Sequence, residues 1–206
     1  HHLGNFLSFY KAGFGINGNL TGASSLGAVE FLASRAFGSN ASTTHFTIAT
    51  GAVSAPALLS IAGNYVNNGT FGSGRSFNQN SFGTVFFDGS SPQTLGGSMT
   101  ASSSFNNLVF LGAGTKTFSA NASTTATTTI SSGSGLVDIS TRFVTFGGSL
   151  VNDGTLSTDA TSMISFSNNS TSTPASLSGN LTDTSQLRNI EFLPGAYRFL
   201  SNASTT

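Results

Sequence analysis

The chain has 206 residues, a formal net charge of zero and only 7% charged residues, against roughly 25% in an ordinary soluble domain. Seven basic residues without a basic patch exclude nucleic acid and anionic membrane surfaces as expected partners. No apolar run approaches the ~18 residues of a transmembrane helix, so membrane insertion is not expected. The absence of cysteine excludes disulfides and thiolate metal sites.

The residue types favour strands over helices. The sequence contains 35 Ser, 27 Thr, 18 Asn and 25 Gly, which are poor residues for helix interiors. Its 19 Phe recur beside Val, Ile and Leu, which indicates a folded core rather than disorder. Short β-prone runs such as residues 84–87 and 149–151 are bounded by Gly, Asn and Asp. The sequence therefore predicts an all-β fold.

The first element along the chain is a motif that occurs three times. Residues 18–31 read GNLTGASSLGAVEF, and related stretches occupy residues 97–110 and 179–192. Each copy ends by alternating apolar with outward-facing residues, as a half-buried strand does. This alternation places Glu30 and Glu191 on the solvent side. The apolar positions predicted to line the core are Val29, Phe31, Leu108, Phe110, Ile190 and Phe192.

A five-residue sequence, NASTT, follows each copy of this first motif. It occupies residues 40–44, 121–125 and 202–206, so both intervals are 81 residues. Asn-Ala-Ser is an N-glycosylation acceptor pattern, which makes Asn40, Asn121 and Asn202 candidate glycosylation sites. The alternative, which we favour, is that Asn caps a turn and the hydroxyl side chains bond to neighbouring backbone. We expect NASTT to mark the same corner of every third or fourth coil.

A second motif occurs twice, as GNYVNNGTF at residues 63–71 and as GSLVNDGTL at residues 148–156. Repeats of about 81 residues are compatible with a β-solenoid of three to four coils each, or with tandem small β-sandwich domains. The Asn-Gly pair of the first copy suits a sandwich hairpin, and it suits a solenoid corner equally well. The chain starts and stops inside a repeat, which favours the solenoid, because each coil contacts only its neighbours.

The predicted fold is thus a parallel β-helix (β-solenoid). The whole chain, 1–206, is expected to be one continuous array without separate domains, with motif copies at 18–44, 97–125 and 179–206.

The second motif resembles the G-x-L-x-N-x-G-x-[LF] units of secreted bacterial repeat proteins, including autotransporter passengers and haemagglutinin-like adhesins. Tyr65 stands where that pattern has Leu. The resemblance implies a right-handed parallel β-helix that acts at the cell surface, and hence an extracellular location.

Catalytic and metal chemistry is not expected. The acidic residues are Glu30, Asp88, Asp138, Asp153, Asp159, Asp183 and Glu191. The sequence forces no pair of them together, as polysaccharide cleavage would require. His45 follows the first NASTT, but Ala126 takes its place after the second. We therefore predict no enzyme activity and no cofactor.

The sequence predicts an extracellular structural protein, a segment of a stalk, filament or surface layer. Low net charge permits assembly of copies by end-to-end stacking of coils, so the expected partner is the protein itself. The alternative is an adhesin-type binding module for carbohydrate or a host surface protein. Exposed aromatic side chains would serve that function, and the candidates are Tyr10, Tyr65 and Tyr197.

Overall fold

A computed structural model describes residues 2–3, 6–13, 15–72, 83–168 and 172–205 as a parallel β-solenoid. Each coil lays short strands in turn on three faces, which we name face 1, face 2 and face 3 in the order in which the chain visits them. The strands are numbered β1 to β24 along the chain. The predicted all-β solenoid is confirmed, and tandem sandwich domains are not present in the described residues.

Face 1 is a nine-stranded sheet whose strands are, in spatial order, β1 (His2–Leu3), β2 (Phe6–Phe9), β3 (Ala28–Phe31), β6 (His45–Ile48), β9 (Tyr65–Asn67), β12 (Gln93–Gly97), β14 (Lys116–Phe118), β17 (Val137–Asp138) and β20 (Leu156–Ser157). Face 3 is an eight-stranded sheet made of β5 (Ala41–Thr43), β8 (Leu58–Ile61), β11 (Thr84–Phe87), β13 (Asn107–Phe110), β16 (Thr128–Ile130), β19 (Leu150–Asn152), β22 (Ala175–Gly179) and β24 (Tyr197–Phe199).

Face 2 consists of two smaller sheets. The first contains β4 (Arg35–Ala36), β7 (Ala52–Ser54) and β10 (Thr70–Gly72), and the second contains β15 (Ala122–Thr124), β18 (Phe143–Phe146), β21 (Met163–Phe166) and β23 (Ile190–Phe192). Between them runs the second copy of the first motif, where Met99 bridges to Ala122. One-turn 3₁₀ helices at Gly22–Ser24, Ala101–Ser103 and Asp183–Ser185 lie within the three copies of this motif.

Stacking in register builds the core. Among the described strands, all pairs are parallel apart from β1 with β2. Parallel in-register stacking places inward residues of successive coils directly above one another, as Val29, Phe46 and Tyr65 are on face 1. The rings of Phe46 and Tyr65 stack with centroids 5.8 Å apart. The core is therefore a column of apolar side chains that runs along the axis.

Five of the six predicted core positions point into this column. Val29, Phe31, Leu108 and Phe110 are fully buried, and Ile190 is partly buried against the core. Phe192 departs from the prediction, because its side chain is 43% exposed. It lies on β23, the last strand of its sheet, so its ring stacks on Phe166 on one side and no described strand covers the other.

The sequence repeat and the coil have different periods. Ten strands, β3 to β12, lie between Leu20 and Met99, and ten more, β13 to β22, lie between Met99 and Leu181. Each interval is therefore eleven strand positions, which at three positions per coil is three and two-thirds coils. The three equivalent residues consequently lie on face 3, face 2 and face 1 in turn.

The prediction that NASTT marks one recurring corner is wrong for this reason. The Ala-Ser-Thr part of the first copy forms β5 on face 3, and that of the second copy forms β15 on face 2. In the third copy, Ala203 bridges to Leu181 on face 1, while Thr206 lies outside the described residues. The sequence marks the same step of each repeat, but each repeat is turned by one face relative to the last.

Candidate functional site

Glu30 and Asp159 accept hydrogen bonds that stabilise the local structure around them. Glu30 points outward from β3, as predicted, and accepts a hydrogen bond from the Ser8 hydroxyl at 3.3 Å. The Asp159 carboxylate accepts hydrogen bonds from Thr161 and from the Ser162 amide, which lower its pKa to about 2. Within the described ranges, no group of three or more His, Cys, Asp or Glu residues is placed to hold a metal ion.

Tyr65 is not an exposed binding aromatic. Its ring is fully buried between Phe46 and Phe71, because it occupies the core position that Leu150 fills in the other copy of the second motif. Its hydroxyl has no hydrogen-bond partner among the described residues, and burial raises its pKa. The prediction of a surface role for this residue is wrong.

The other two candidate tyrosines, Tyr197 and Tyr10, differ in how far their side chains are exposed. The Tyr197 ring is partly buried, and its hydroxyl lies 2.8 Å from the carbonyl oxygens of Phe166 and Leu193. The same hydroxyl accepts the Asn168 amide at 2.9 Å, so it fastens one coil to the next. Tyr10 is 44% exposed, and of the three it has the side chain most available to a ligand.

The NASTT asparagines connect coils. Asn40 Oδ1 accepts the amide of Leu58 at 3.1 Å, and Asn121 Oδ1 accepts the amide of Phe143 at 2.9 Å. Both bonds reach to the next coil rather than to a neighbouring turn residue. Asn40, Asn121 and Asn202 are all exposed, and glycosylation of them remains a prediction.

The serine two positions after each of these asparagines pairs with the first motif of the preceding coil. The Ser42 amide donates to the Leu20 carbonyl, and its own carbonyl accepts the Leu26 amide, both at 2.9 Å. Ser123 makes the same two bonds to Met99 and Phe105. NASTT is therefore the strand that covers the first motif, which explains why the two recur together.

The second motif lies on the other side of the first motif, and we call their contact the Asn–Ser joint. In the first joint, Asn67 Nδ2 donates to the Ser98 carbonyl at 2.6 Å, and the Ser98 amide donates to the Asn67 carbonyl at 2.6 Å. The Phe71 amide then donates to Ser103 Oγ at 3.2 Å. Asn67 is fully buried, so these bonds satisfy polar groups that water does not reach.

The second Asn–Ser joint reproduces the first on another face. Asn152 Nδ2 donates to the Asn180 carbonyl at 2.6 Å, and the Leu156 amide donates to Ser185 Oγ at 3.1 Å. Gly179 has a φ of +89°, and a Cβ there would lie 2.1 Å from the Asn152 carbonyl oxygen. Only glycine tolerates both the backbone conformation and the close approach.

Lys116 is a buried residue that sequence reasoning missed. Its side chain lies inside the solenoid, and its ammonium donates to the carbonyl oxygens of Gly112 at 2.5 Å, Gly114 at 2.6 Å and Gly89 at 3.2 Å. Burial lowers the pKa of Lys116, and the negative charge of Asp88 opposes that shift. No repeated pattern marks the position of Lys116. Asn67 and Asn152, in contrast, occupy the same position in the two copies of the second motif, and this recurrence could have pointed to them.

The last described coil presents an apolar end. Phe192 is 43% exposed, Phe199 46% and Leu200 55%, and the two phenylalanine rings lie 6.0 Å apart. Their strands, β23 and β24, are the last of their sheets, so one edge of each has no described strand beside it. Apolar side chains beside open strand edges are typical of a surface that receives another coil.

These features define a repeat protein of the parallel β-solenoid class, in which the contacts between coils are the geometry that the repeats share. Comparisons with protein-family models, with curated proteins and with solved structures found no match. None of the helices in the described residues is long and apolar enough to cross a membrane.

Proposed function

We propose that this chain is a segment of an extracellular rod that serves in a stalk, a filament or a surface layer. The observation that carries the proposal is the Asn–Ser joint, which occurs twice, three and two-thirds coils apart, with equivalent hydrogen bonds from the asparagine side chain and to the serine hydroxyl. A joint that recurs on successive faces strengthens a long stack evenly around its axis. The resemblance to secreted bacterial β-helix proteins, autotransporter passengers among them, supports the extracellular location.

The partner that we propose is a further stack of the same coils, added end to end. The open strand edges of the last coil and the exposed rings of Phe192 and Phe199 support this assembly. Zero net charge gives two such stacks little mutual repulsion. Because the contact joins different ends of the stack, it generates an open filament rather than a closed oligomer.

Electron microscopy and fibre diffraction of the natively produced material test this proposal. Coils repeat every ~4.8 Å, so three and two-thirds coils give a rise of roughly 17.6 Å per sequence repeat, with a rotation of about one third of a turn. Fibres with a 4.8 Å meridional reflection and this helical rise are expected. Isolated compact particles without axial order would contradict the rod.

A second candidate function, carbohydrate binding by an adhesin-type module, has one observation in its favour. A shallow groove of about 420 Å³ is lined by hydroxyl side chains that include Thr100, Ser123, Thr125 and Thr145. Rows of hydroxyl groups suit the hydrogen-bonding pattern of sugars. A glycan-array signal that is abolished by Thr145→Arg would favour the adhesin. Tyr10→Ala tests separately whether the exposed ring contributes to that signal. The absence of any signal would leave the rod as the function.

A further inference from the structure

Among the described residues, no second-motif strand lies beside the first copy of the first motif, although the other two copies each have one. Ser103 and Ser185 are 3% and 2% exposed beneath the second motif, whereas the equivalent Ser24 is exposed. Likewise Met99 and Leu181 are fully buried, whereas Leu20 is only partly buried. The sites of the first copy that would contact a second-motif strand are therefore on the surface.

This surface already has the conformation of a completed joint. In the first copy the Ser24 amide donates to Thr21 at 3.1 Å, as the Ser185 amide donates to Thr182 at 2.9 Å. Gly22 has a φ of +57°, which matches the +51° of Asp183. The 3₁₀ turn is thus formed before any strand covers it, so the site is preorganised.

None of the described residues fills the space that a partner strand would occupy in the first copy. A Cβ on Gly18 would meet no atom of a described residue within 4 Å, although Gly18 keeps the positive φ of +115°. At Gly97 and Gly179 the same Cβ would lie 2.1 Å from the carbonyl oxygen of Asn67 or Asn152. Gly18 therefore has the glycine geometry of a close contact, with no contact made by the described residues.

We propose that residues 18–26 form an open joint that receives a strand of sequence Val-Asn-x-Gly-Thr-[Phe/Leu] from a further coil of the same repeat. The side-chain amide of the asparagine in that strand would donate to the Asn19 carbonyl, and the backbone carbonyl of the same asparagine would accept the Asn19 amide. The amide of its last residue would donate to Ser24 Oγ. Leu20 and Leu26 would then become fully buried, as Leu181 and Leu187 are.

Direct stacking on the last coil of a second copy of this chain would leave the joint unfilled, so at this end the partner stack of the proposed rod has to present a coil that carries the second motif. The last coil presents β23, β24 and the bridge at residues 203–205, none of which contains the required sequence. The two second-motif strands of the chain are internal, and each is already covered by its own joint. This inference builds on the proposed rod, and specifies that the rod continues at this end through another coil of the repeat.

Hydrogen exchange on the unmodified chain gives the first test. The amides of Ser98 and Asn180 donate to buried asparagine carbonyls, so they should exchange at least about tenfold more slowly than the equivalent amide of Asn19. Protection of Asn19 equal to that of Asn180, in a chain that sedimentation shows to be monomeric, would overturn the open joint. Protection that appears only with self-association would identify a second copy as the occupant and overturn the assignment of the joint to a further coil.

A grafted chain gives the second test. Strand β2 stands two strand positions before Leu20 in the chain, and β21 stands two strand positions before Leu181. Residues 148–162 directly precede β21, so they should supply the missing strand when they are joined ahead of Phe6, the first residue of β2. We expect the grafted chain to slow exchange at Asn19 at least about tenfold and to melt at a higher temperature. The control is the same graft with the asparagine that copies Asn152 replaced by alanine. Alanine keeps the backbone carbonyl that would accept the Asn19 amide but loses the side-chain bond to the Asn19 carbonyl, so this graft should protect Asn19 less than the unchanged graft does.

The graft is informative only if the rest of the chain stays folded, which the unchanged protection of Asn180 would report. A folded grafted chain in which Asn19 exchanges as fast as before would overturn the proposal. That failure would leave the rod untouched, because native fibres with the expected rise would still establish it. Conversely, native material without axial order would refute the rod even if the graft completed the joint.

Discussion

Residues 18–26 and residues 179–187 have related sequences and the same local fold, but different surroundings. Both contain a 3₁₀ turn with a positive φ at its first residue. Leu181 and Leu187 are nevertheless fully buried, whereas Leu20 and Leu26 are only partly buried. The comparison teaches that the turn is encoded locally, whereas its stability comes from the strand of the coil beneath it.

The largest expected effect comes from truncating the same leucine in the two regions. Leu181→Ala removes a fully buried side chain and should lower the free energy of unfolding by about 2–4 kcal/mol. Leu20→Ala removes a partly exposed one and should cost less than about half of that. Chemical denaturation of both variants measures the difference. Equal costs would mean that the coil beneath contributes nothing.

A smaller effect should follow from removing the asparagine of a completed joint. Asn152→Ala leaves the Asn180 carbonyl without the donor that lies 2.6 Å away, and should destabilise the chain by about 1–3 kcal/mol. The open joint contains no counterpart of Asn152, so Asn19→Ala, at the position equivalent to Asn180, should change stability by less than about 0.5 kcal/mol. Hydrogen exchange near Asn180 localises the loss, and an unchanged exchange rate there would contradict the role of the joint.

The sequence predicted the class of fold because the core positions and the turn residues recur with each repeat. It did not reveal the rotation between repeats, because that depends on which strands pair. The structure supplies the missing length: Leu20, Met99 and Leu181 pair with residues 21, 23 and 22 positions later, so one coil takes about 22 residues. Dividing 81 by this length gives about 3.7 coils rather than a whole number.

Individual side chains were harder to predict for physical reasons. Tyrosine suits both a core and a surface, so the sequence did not decide that Tyr65 would be buried. Phe192 follows the core pattern, yet it lies on the last strand of its sheet, and no residue pattern reports a missing neighbour. Lys116 is buried because three carbonyl oxygens converge on its ammonium, which only the folded loops bring together.

The two completed joints differ at several buried positions, and at one of them Tyr65 in the first joint corresponds to Leu150 in the second. The Tyr65 hydroxyl is buried without a partner in the described part of the chain, so Tyr65→Phe should stabilise the protein by up to about 1 kcal/mol. Tyr197→Phe is the matched control and should destabilise by about 1 kcal/mol, because its hydroxyl is hydrogen-bonded. A loss of stability in Tyr65→Phe would indicate a hidden partner.

The smallest effect should be the acid sensitivity of the turn that precedes β21, close to the second joint. The pKa of Asp159 is about 2 in the folded chain and 3.8 as its ordinary value, so its contribution is present above pH 3.8 and is lost as the pH falls toward 2. Denaturation midpoints of the unmodified chain and of Asp159→Asn, compared between pH 6 and pH 2, should converge at the acid end. A constant difference would exclude this carboxylate as the cause.

Disulfide cross-linking tests the rotation of the repeats most directly, since the chain contains no cysteine of its own. Ser42, Ser60, Phe86, Val109 and Thr129 form one column on face 3. Ser123 is the counterpart of Ser42 in the second NASTT. If one repeat spanned four whole coils, Ser123 would lie next to Val109 in the column of Ser42. We predict that Val109→Cys with Thr129→Cys forms a disulfide on oxidation, and that Val109→Cys with Ser123→Cys does not. The reverse result would contradict the turn of one face between repeats.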